Sequence, residues 1–171
     1  MLARLTRRFA GLCVGVTSVY CSCRDPLWGQ SPRKRGIALT AYFCGCEPCH
    51  EAGRLWGRIQ RGGELDSVGK GFLTVVFQGD SEAAKTFVAQ VGLEPARTKV
   101  VADPQSEMAR KNKALPCPRM FVKDSKGKVR YTNNRPDDAA QTGSPSLMVA
   151  RAVDALRALA KDKAPPRKKK H

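Results

Sequence analysis

Residues 37–50 read IALTAYFCGCEPCH, and the order of residue types predicts a strand that hands over to a helix across a pair of thiols. Residues 37–43 are an apolar run of strand length, the pattern of a buried strand. Cys46, Glu47, Pro48 and Cys49 follow at once. Residues 51–61 then read as a helix, with Leu55, Trp56 and Ile59 on one face and Arg54, Arg58 and Arg61 on the other. Two cysteines separated by two residues at a helix start can close a small, reversible disulfide. The first sulfur lies at the positive end of the helix, where a thiolate is stabilised, and the second lies a turn deeper. Pro48 stiffens the helix start. Glu47 sets a carboxylate beside the sulfurs, which disfavours a Cys46 thiolate and makes the pair more reducing; the competing reading of Glu47 is a solvated charge.

Working outward, Gly62 and Gly63 stop this helix, and residues 72–77 (FLTVVF) form the strongest strand signal of the chain, aromatic and β-branched without charge. Asp80 or Ser81 caps a helix running to Val91, and Gly92 ends it. Residues 98–102 read as a short strand. Asp103 then caps a helix to Lys113 with Pro104 in its first position. Residues 120–123 resume a strand, and 125–128 (SKGK) turn it into a partner over 129–132. Residues 136–145 read as loop. Residues 147–160 are amphipathic, with Val149, Val153, Leu156 and Leu159 inward. Alternation of this kind predicts the α/β class, a central mixed β-sheet flanked by helices on both faces.

Net charge is +16 over 171 residues, but it is concentrated at the ends. Residues 1–35 carry +6, residues 161–171 carry +5, and the long remainder only +5. Ends of this kind read as solvated tails, with attraction to anionic lipid as the sharper alternative. No zinc-finger, RNA-binding or helix-turn-helix signature accompanies the charge, so nucleic acid is not an expected partner. Residues 1–23 have the charged-then-apolar order of a secretory signal or anchor, with a partial twin-arginine match at Arg7 and Arg8. Export to a periplasmic or membrane-tethered location is therefore expected, with a mitochondrial presequence as the alternative. Residues 24–35 read as a linker, 36–160 as the folded domain, and 161–171 as a basic disordered tail. The seven cysteines, at 13, 21, 23, 44, 46, 49 and 117, do not form the evenly spaced framework of a disulfide-stapled mini-protein.

Two segments carry a family resemblance. Residues 43–56 (FCGCEPCHEAGRLW) resemble the active-site segment of TlpA/ResA-type thioredoxin-fold proteins. Residues 115–131 (LPCPRMFVKDSKGKVRY) resemble their second signature, a proline followed by a short strand, an acidic residue and a glycine-containing hairpin. The resemblance spans about residues 36–160. It implies a thioredoxin-like fold and a thiol–disulfide oxidoreductase. Cys46 would be the nucleophile, Cys49 the resolving thiol, and Pro118 the cis-proline facing them, with Cys117 beside it at the substrate-binding loop. No organic cofactor is implied, because the electrons travel on sulfur. The partners implied are protein thiols and disulfides, apocytochrome c among them, together with a membrane or soluble electron donor. Gly45 stands where the family usually has Trp, and Glu51 is the candidate for the buried acid of many relatives.

Other readings use the same residues. Cys46 to His50 is also a CxxCH haem-attachment pattern, with His50 as one axial ligand and Met108 or Met120 as the other. His50 alternatively reads as an exposed helix residue. Cys44, Cys46, Cys49 and Cys117 could hold a metal or form a binding module for metal or peptide. A peroxiredoxin-like peroxidase would use Thr40 and Cys44, at a spacing of four rather than the usual three. Trp56 is expected in the core, while Trp28 falls in the linker.

Overall fold

The structure, a computed structural model, describes residues 36–69, 71–133 and 144–163. The uncharged strand at the head of the thiol motif takes the centre of the sheet. This strand, β1 (Ala38–Phe43), is followed by α1 (Glu47–Arg61), β2 (Leu73–Phe77), α2 (Ser81–Gln90), β3 (Thr98–Ala102), α3 (Glu107–Lys111), β4 (Arg119–Lys123), β5 (Val129–Thr132) and α4 (Pro145–Lys163). The five strands lie in the order β3-β2-β1-β4-β5. β1 pairs in parallel with β2, and β2 with β3. β1 pairs antiparallel with β4, placing Ala41 opposite Met120, and β4 pairs antiparallel with β5. The sheet is mixed, as the alternation predicts.

Alternation of side chains along each strand divides the interior. Leu39, Ala41, Phe43, Leu73, Val75, Met120 and Val122 face the larger core, which Trp56 of α1, Phe87 of α2 and Val149, Val153 and Leu156 of α4 complete. Tyr42 and Val76 face the other side and meet Ala109 of α3 and Ala114. Among the described residues, α-helices therefore cover both faces of the sheet, unequally: three on the thiol side and one short helix opposite.

Three boundaries differ by three or more residues from the sequence reading, each for a local reason. α1 begins at Glu47, not 51, because Cys46 adopts extended backbone as N-cap and Pro48 sits in the first turn, where its missing N–H is not needed. Its buried face is Cys49, Ala52, Gly53, Trp56, Gly57 and Gln60, while Leu55 and Ile59 are only half-buried. Small residues win that face because α1 approaches the end of α2 closely: a Cβ on Gly57 would stand 2.6 Å from the carbonyl oxygens of both Val91 and Gly92. The closeness offsets the roughly 1 kcal/mol that glycine costs inside a helix. α3 is much shorter than the expected 103–113. Ser106 turns left-handed (φ 54°), so Pro104 lies in a turn, and the Asp103 carboxylate accepts from the Met108 and Ala109 amides at 3.2 and 3.0 Å. Asp103 is thus a capping acid acting from further upstream. α4 runs to Lys163, three residues into the stretch assigned to the tail, and buries Met148 and Ala152 besides the expected Val149, Val153 and Leu156. Leu159 is half-buried at the rim.

The expected signal segment 1–23, linker 24–35 with Trp28, the loop at 136–143 and the tail beyond 163 lie outside the described residues. Among the described residues no helix is long and apolar enough to cross a membrane.

Candidate functional site

β1 ends at Phe43 and the chain turns directly into α1, which brings three cysteines into one turn. Cys46 caps α1, and its carbonyl accepts from the Cys49 and His50 amides at 3.0 and 3.1 Å. That first turn aims both sulfurs to the same side, with Cys46 Sγ 3.1 Å from Cys49 Sγ. Cys49 is fully buried and Cys46 half-buried, so one thiol of the pair is accessible and the other is not. Cys44 also folds inward: its amide donates to Cys49 Sγ at 3.3 Å and its sulfur lies 3.7 Å from the same atom. The fourth thiol arrives from the loop ahead of β4, where the Cys117–Pro118 peptide is cis, as is Leu115–Pro116. Cys117 Sγ stands 2.7 Å from Cys44 Sγ. All four sulfurs lie within 4.8 Å of one another.

Electrostatics in this cluster distinguish the thiols. A hydrogen bond from the Cys49 thiol, aided by one from Cys44, stabilises the Cys117 thiolate against the opposing effect of burial and lowers its pKa to about 6. Burial, with the hydrogen bond to Cys117, pushes Cys44 up to about 12. Cys49 also rises, first because its proton is committed to Cys117 and then because it is buried. Of these three thiols, it is therefore Cys117, next to Pro118, that most readily carries a negative charge.

The tuning residues lie differently from each other. Pro48 occupies the first turn as expected. The Glu47 side chain is 77% exposed and receives Arg54 Nη2 at 2.6 Å, so its charge is countered on the solvent side of α1. Glu51 is exposed and not a buried acid. His50 is half-buried, with its ring 5.1 Å from that of Phe87, rather than exposed. Met108 packs with the cluster on the opposite face of the sheet and Met120 is sealed in the core, so neither is an open axial partner to His50. Thr40 sits three residues before the end of β1, about 10 Å along an extended strand from Phe43, and is not beside Cys44. Trp56 is in the core as expected, with its Nε1 lacking a partner among the described residues.

One residue that shapes the site is absent from the sequence reading. Asn133, buried just after β5, donates through Nδ2 to the Pro118 carbonyl at 3.1 Å and accepts the Met120 amide on Oδ1 at 2.8 Å. Arg119 Nη1 donates to the Asn133 carbonyl at 2.8 Å. Asn133 thus clamps the backbone on both sides of Arg119 and fixes the Cys117–Pro118 loop. A lone Asn beyond a hairpin strand carries no motif, so only the long-range pairing reveals it.

The strand order, the thiol pair at the start of α1 and the opposing cis-proline loop define a thioredoxin-like domain with a CxxC centre. No protein-family model matches the sequence, and no curated protein matches it significantly. Solved structures are similar in fold. An uncharacterized thioredoxin-like protein from Porphyromonas gingivalis matches with TM-score 0.56 and 18% identity, over 76% of this chain and 79% of that one. The bacterioferritin comigratory protein of Xanthomonas campestris, described for its alkyl peroxide reduction, matches with TM-score 0.52 and 14% identity over 73% and 80%. MTB DsbF, solved in mixed oxidized and reduced forms, matches with TM-score 0.50 and 16% identity over 71% and 81%. At these identities the likeness establishes a thioredoxin-like fold.

Proposed function

We propose that this protein is a thiol–disulfide oxidoreductase of TlpA/ResA-like type that reduces disulfides in other proteins. The observation that carries the reading is the 3.1 Å approach of a half-buried Cys46 sulfur to a fully buried Cys49 sulfur at the first turn of α1, faced by the Pro118 loop. Cys46, as thiolate, attacks one sulfur of a partner disulfide and forms a mixed disulfide, and the partner's second sulfur leaves as a thiolate and takes a proton. Cys49 then loses its proton and attacks Cys46, which releases the partner as a dithiol and leaves a Cys46–Cys49 disulfide. An external dithiol donor, membrane-bound or soluble, returns the two electrons.

The direction is supported by charge. Glu47 is neutralised by Arg54 and contributes little at the sulfurs. The Cys49 thiolate is disfavoured by the hydrogen bond its thiol gives to Cys117 and by burial. A pair whose thiolate form is disfavoured is a better reductant. The resemblance extends the substrates to apocytochromes awaiting haem, and the N-terminal segment 1–23 supports export or tethering at a membrane.

The test is trapping. Cys49→Ser should leave mixed disulfides standing through Cys46, isolable with partner peptides by mass spectrometry, and Cys46→Ser should abolish them. Absence of adducts in Cys49→Ser, or a potential as high as that of strongly oxidising periplasmic catalysts, counts against the reading.

A further inference from the structure

Disulfide exchange through one CxxC pair needs two thiols, yet four converge here. We infer that the reduced tetrad Cys44, Cys46, Cys49 and Cys117 is a binding site for a soft, closed-shell cation, Zn2+ in the first place, held by four thiolates.

Geometry carries the inference. A tetrahedral zinc with Zn–S near 2.3 Å holds its sulfurs about 3.8 Å apart. The sulfur separations here are 2.7 Å for Cys44–Cys117, 3.1 Å for Cys46–Cys49 and 3.7 Å for Cys44–Cys49, and none exceeds 4.8 Å. They bracket the required edge, and small side-chain rotations close the difference. Three ligands come from one turn with C-x-C-x2-C spacing and the fourth from a distant loop, so the site has both local and long-range anchors. Each anchor is fixed. Cys49 is fully buried in α1, and Asn133 clamps the loop that carries Cys117. The Cys44 amide already donates to Cys49 Sγ, the outer hydrogen bond that orients thiolate ligands. Among the described residues no carboxylate or imidazole joins the cluster, so the donor set there is all sulfur, which selects zinc or copper(I) over magnesium, calcium or manganese. Four donors suit tetrahedral zinc.

Metal and disulfide exchange then exclude each other, a consequence that rests on the oxidoreductase reading above, whereas the metal site itself does not. A sulfur bound to zinc is not free to attack. Oxidation by a partner disulfide takes two electrons from the Cys46 and Cys49 thiolates, joins their sulfurs, reduces the partner to a dithiol with two protons from water, and releases Zn2+ to solvent.

The test uses the full chain, reduced and free of oxygen, titrated with Zn2+ and separately with Co2+ as a spectroscopic probe. One equivalent of zinc per chain is expected, with Cys44, Cys46, Cys49 and Cys117 protected together from alkylation and Cys13, Cys21 and Cys23 unprotected. Co2+ should give sulfur-to-metal charge transfer and the intense visible bands of a tetrahedral site. Cys44→Ser and Cys117→Ser should each weaken zinc binding by more than the roughly 10- to 100-fold that loss of an outer-shell partner costs, while a Cys13→Ser, Cys21→Ser, Cys23→Ser triple variant binds as before. No retained zinc, protection of only two or three of the four thiols, or copper(I) binding without zinc binding overturns the site. Protection in the unsubstituted chain is read without variants, so a variant that fails to fold does not remove the test. Metal-free protein that traps mixed disulfides but binds no zinc rejects the metal site and leaves the oxidoreductase reading. A chain that binds zinc through all four thiols but traps nothing supports the site and rejects that reading.

Discussion

In reduced, metal-free protein Cys117 should ionise well before Cys44 and Cys49, with a midpoint near pH 6. At pH 7 about 90% of Cys117 would then be thiolate, against roughly 1% for a thiol at its ordinary value of 9.0. Reactivity does not rise ninetyfold, because intrinsic nucleophilicity falls with basicity. A Brønsted slope of about 0.4–0.5 over three pKa units costs roughly 15- to 30-fold. The net gain is only about three- to sixfold, so the pH midpoint is the diagnostic and the speed is not. The assay is residue-resolved alkylation by mass spectrometry at a series of pH values. Cys49→Ala removes the hydrogen bond that contributes most to the shift and should move the Cys117 midpoint up by at least about one unit, and Cys44→Ala should move it less. The linked stability has a definite sign. Because the folded value is depressed, this thiolate stabilises the reduced fold fully above the unfolded value of about 9, and that contribution is lost as pH falls through about 6. A Cys117 midpoint that stays near the ordinary value, or one indifferent to Cys49→Ala, refutes the charge assignment within the cluster.

Asn133→Ala should cost about 3 kcal/mol by chemical denaturation, since it strands the buried Met120 amide and Pro118 carbonyl; it should also broaden the NMR signals of residues 115–120 more than those of α1. Gly57→Ala forces a Cβ against two backbone carbonyls that cannot rotate away, and a loss of about 2–3 kcal/mol is expected in the same assay, whereas a neutral result denies the close approach of α1 to Val91 and Gly92. Asp124 accepts from the Lys126 and Lys128 amides and from Arg130; burial works against its ionisation, yet these bonds hold the carboxyl below its usual value. Its contribution is therefore present above about pH 4 and lost in acid, so the melting-temperature gap between wild type and Asp124→Asn should narrow as pH drops.

What the sequence disclosed and what it hid divide by distance along the chain. The strand at 38–43, the uncharged β2, the 98–102 strand and the β4–β5 hairpin all announce themselves through local composition, and the CxxC and Pro118 segments through motif. The face of α1 is legible only from its packing. Leu55 and Ile59 are the more apolar residues, but Gly53 and Gly57 are the ones that let α2 come close, and nothing near them in sequence names that neighbour. α3 misleads for a related reason: Asp103 and Pro104 look like a cap and a first turn, while the carboxylate reaches past a left-handed Ser106 to later amides. At the site, the sequence groups Cys44 with the CxxC pair and sets Cys117 before Pro118, yet only the fold reveals how near the four sulfurs lie and that charge favours Cys117. Asn133 is silent in sequence because its role is to hold a backbone fifteen residues away.

The fourth sulfur reaches the others only through the antiparallel docking of β4 beside β1, across 73 residues from Cys44. A chain emerging from synthesis carries its first three clustered thiols long before that partner exists, and until the sheet closes they are an open triplet. Collective behaviour of the four is therefore a gauge of nativeness: the moment Cys117 reacts in concert with its companions marks the completion of the central sheet, which makes thiol labelling during refolding a clock for that single event.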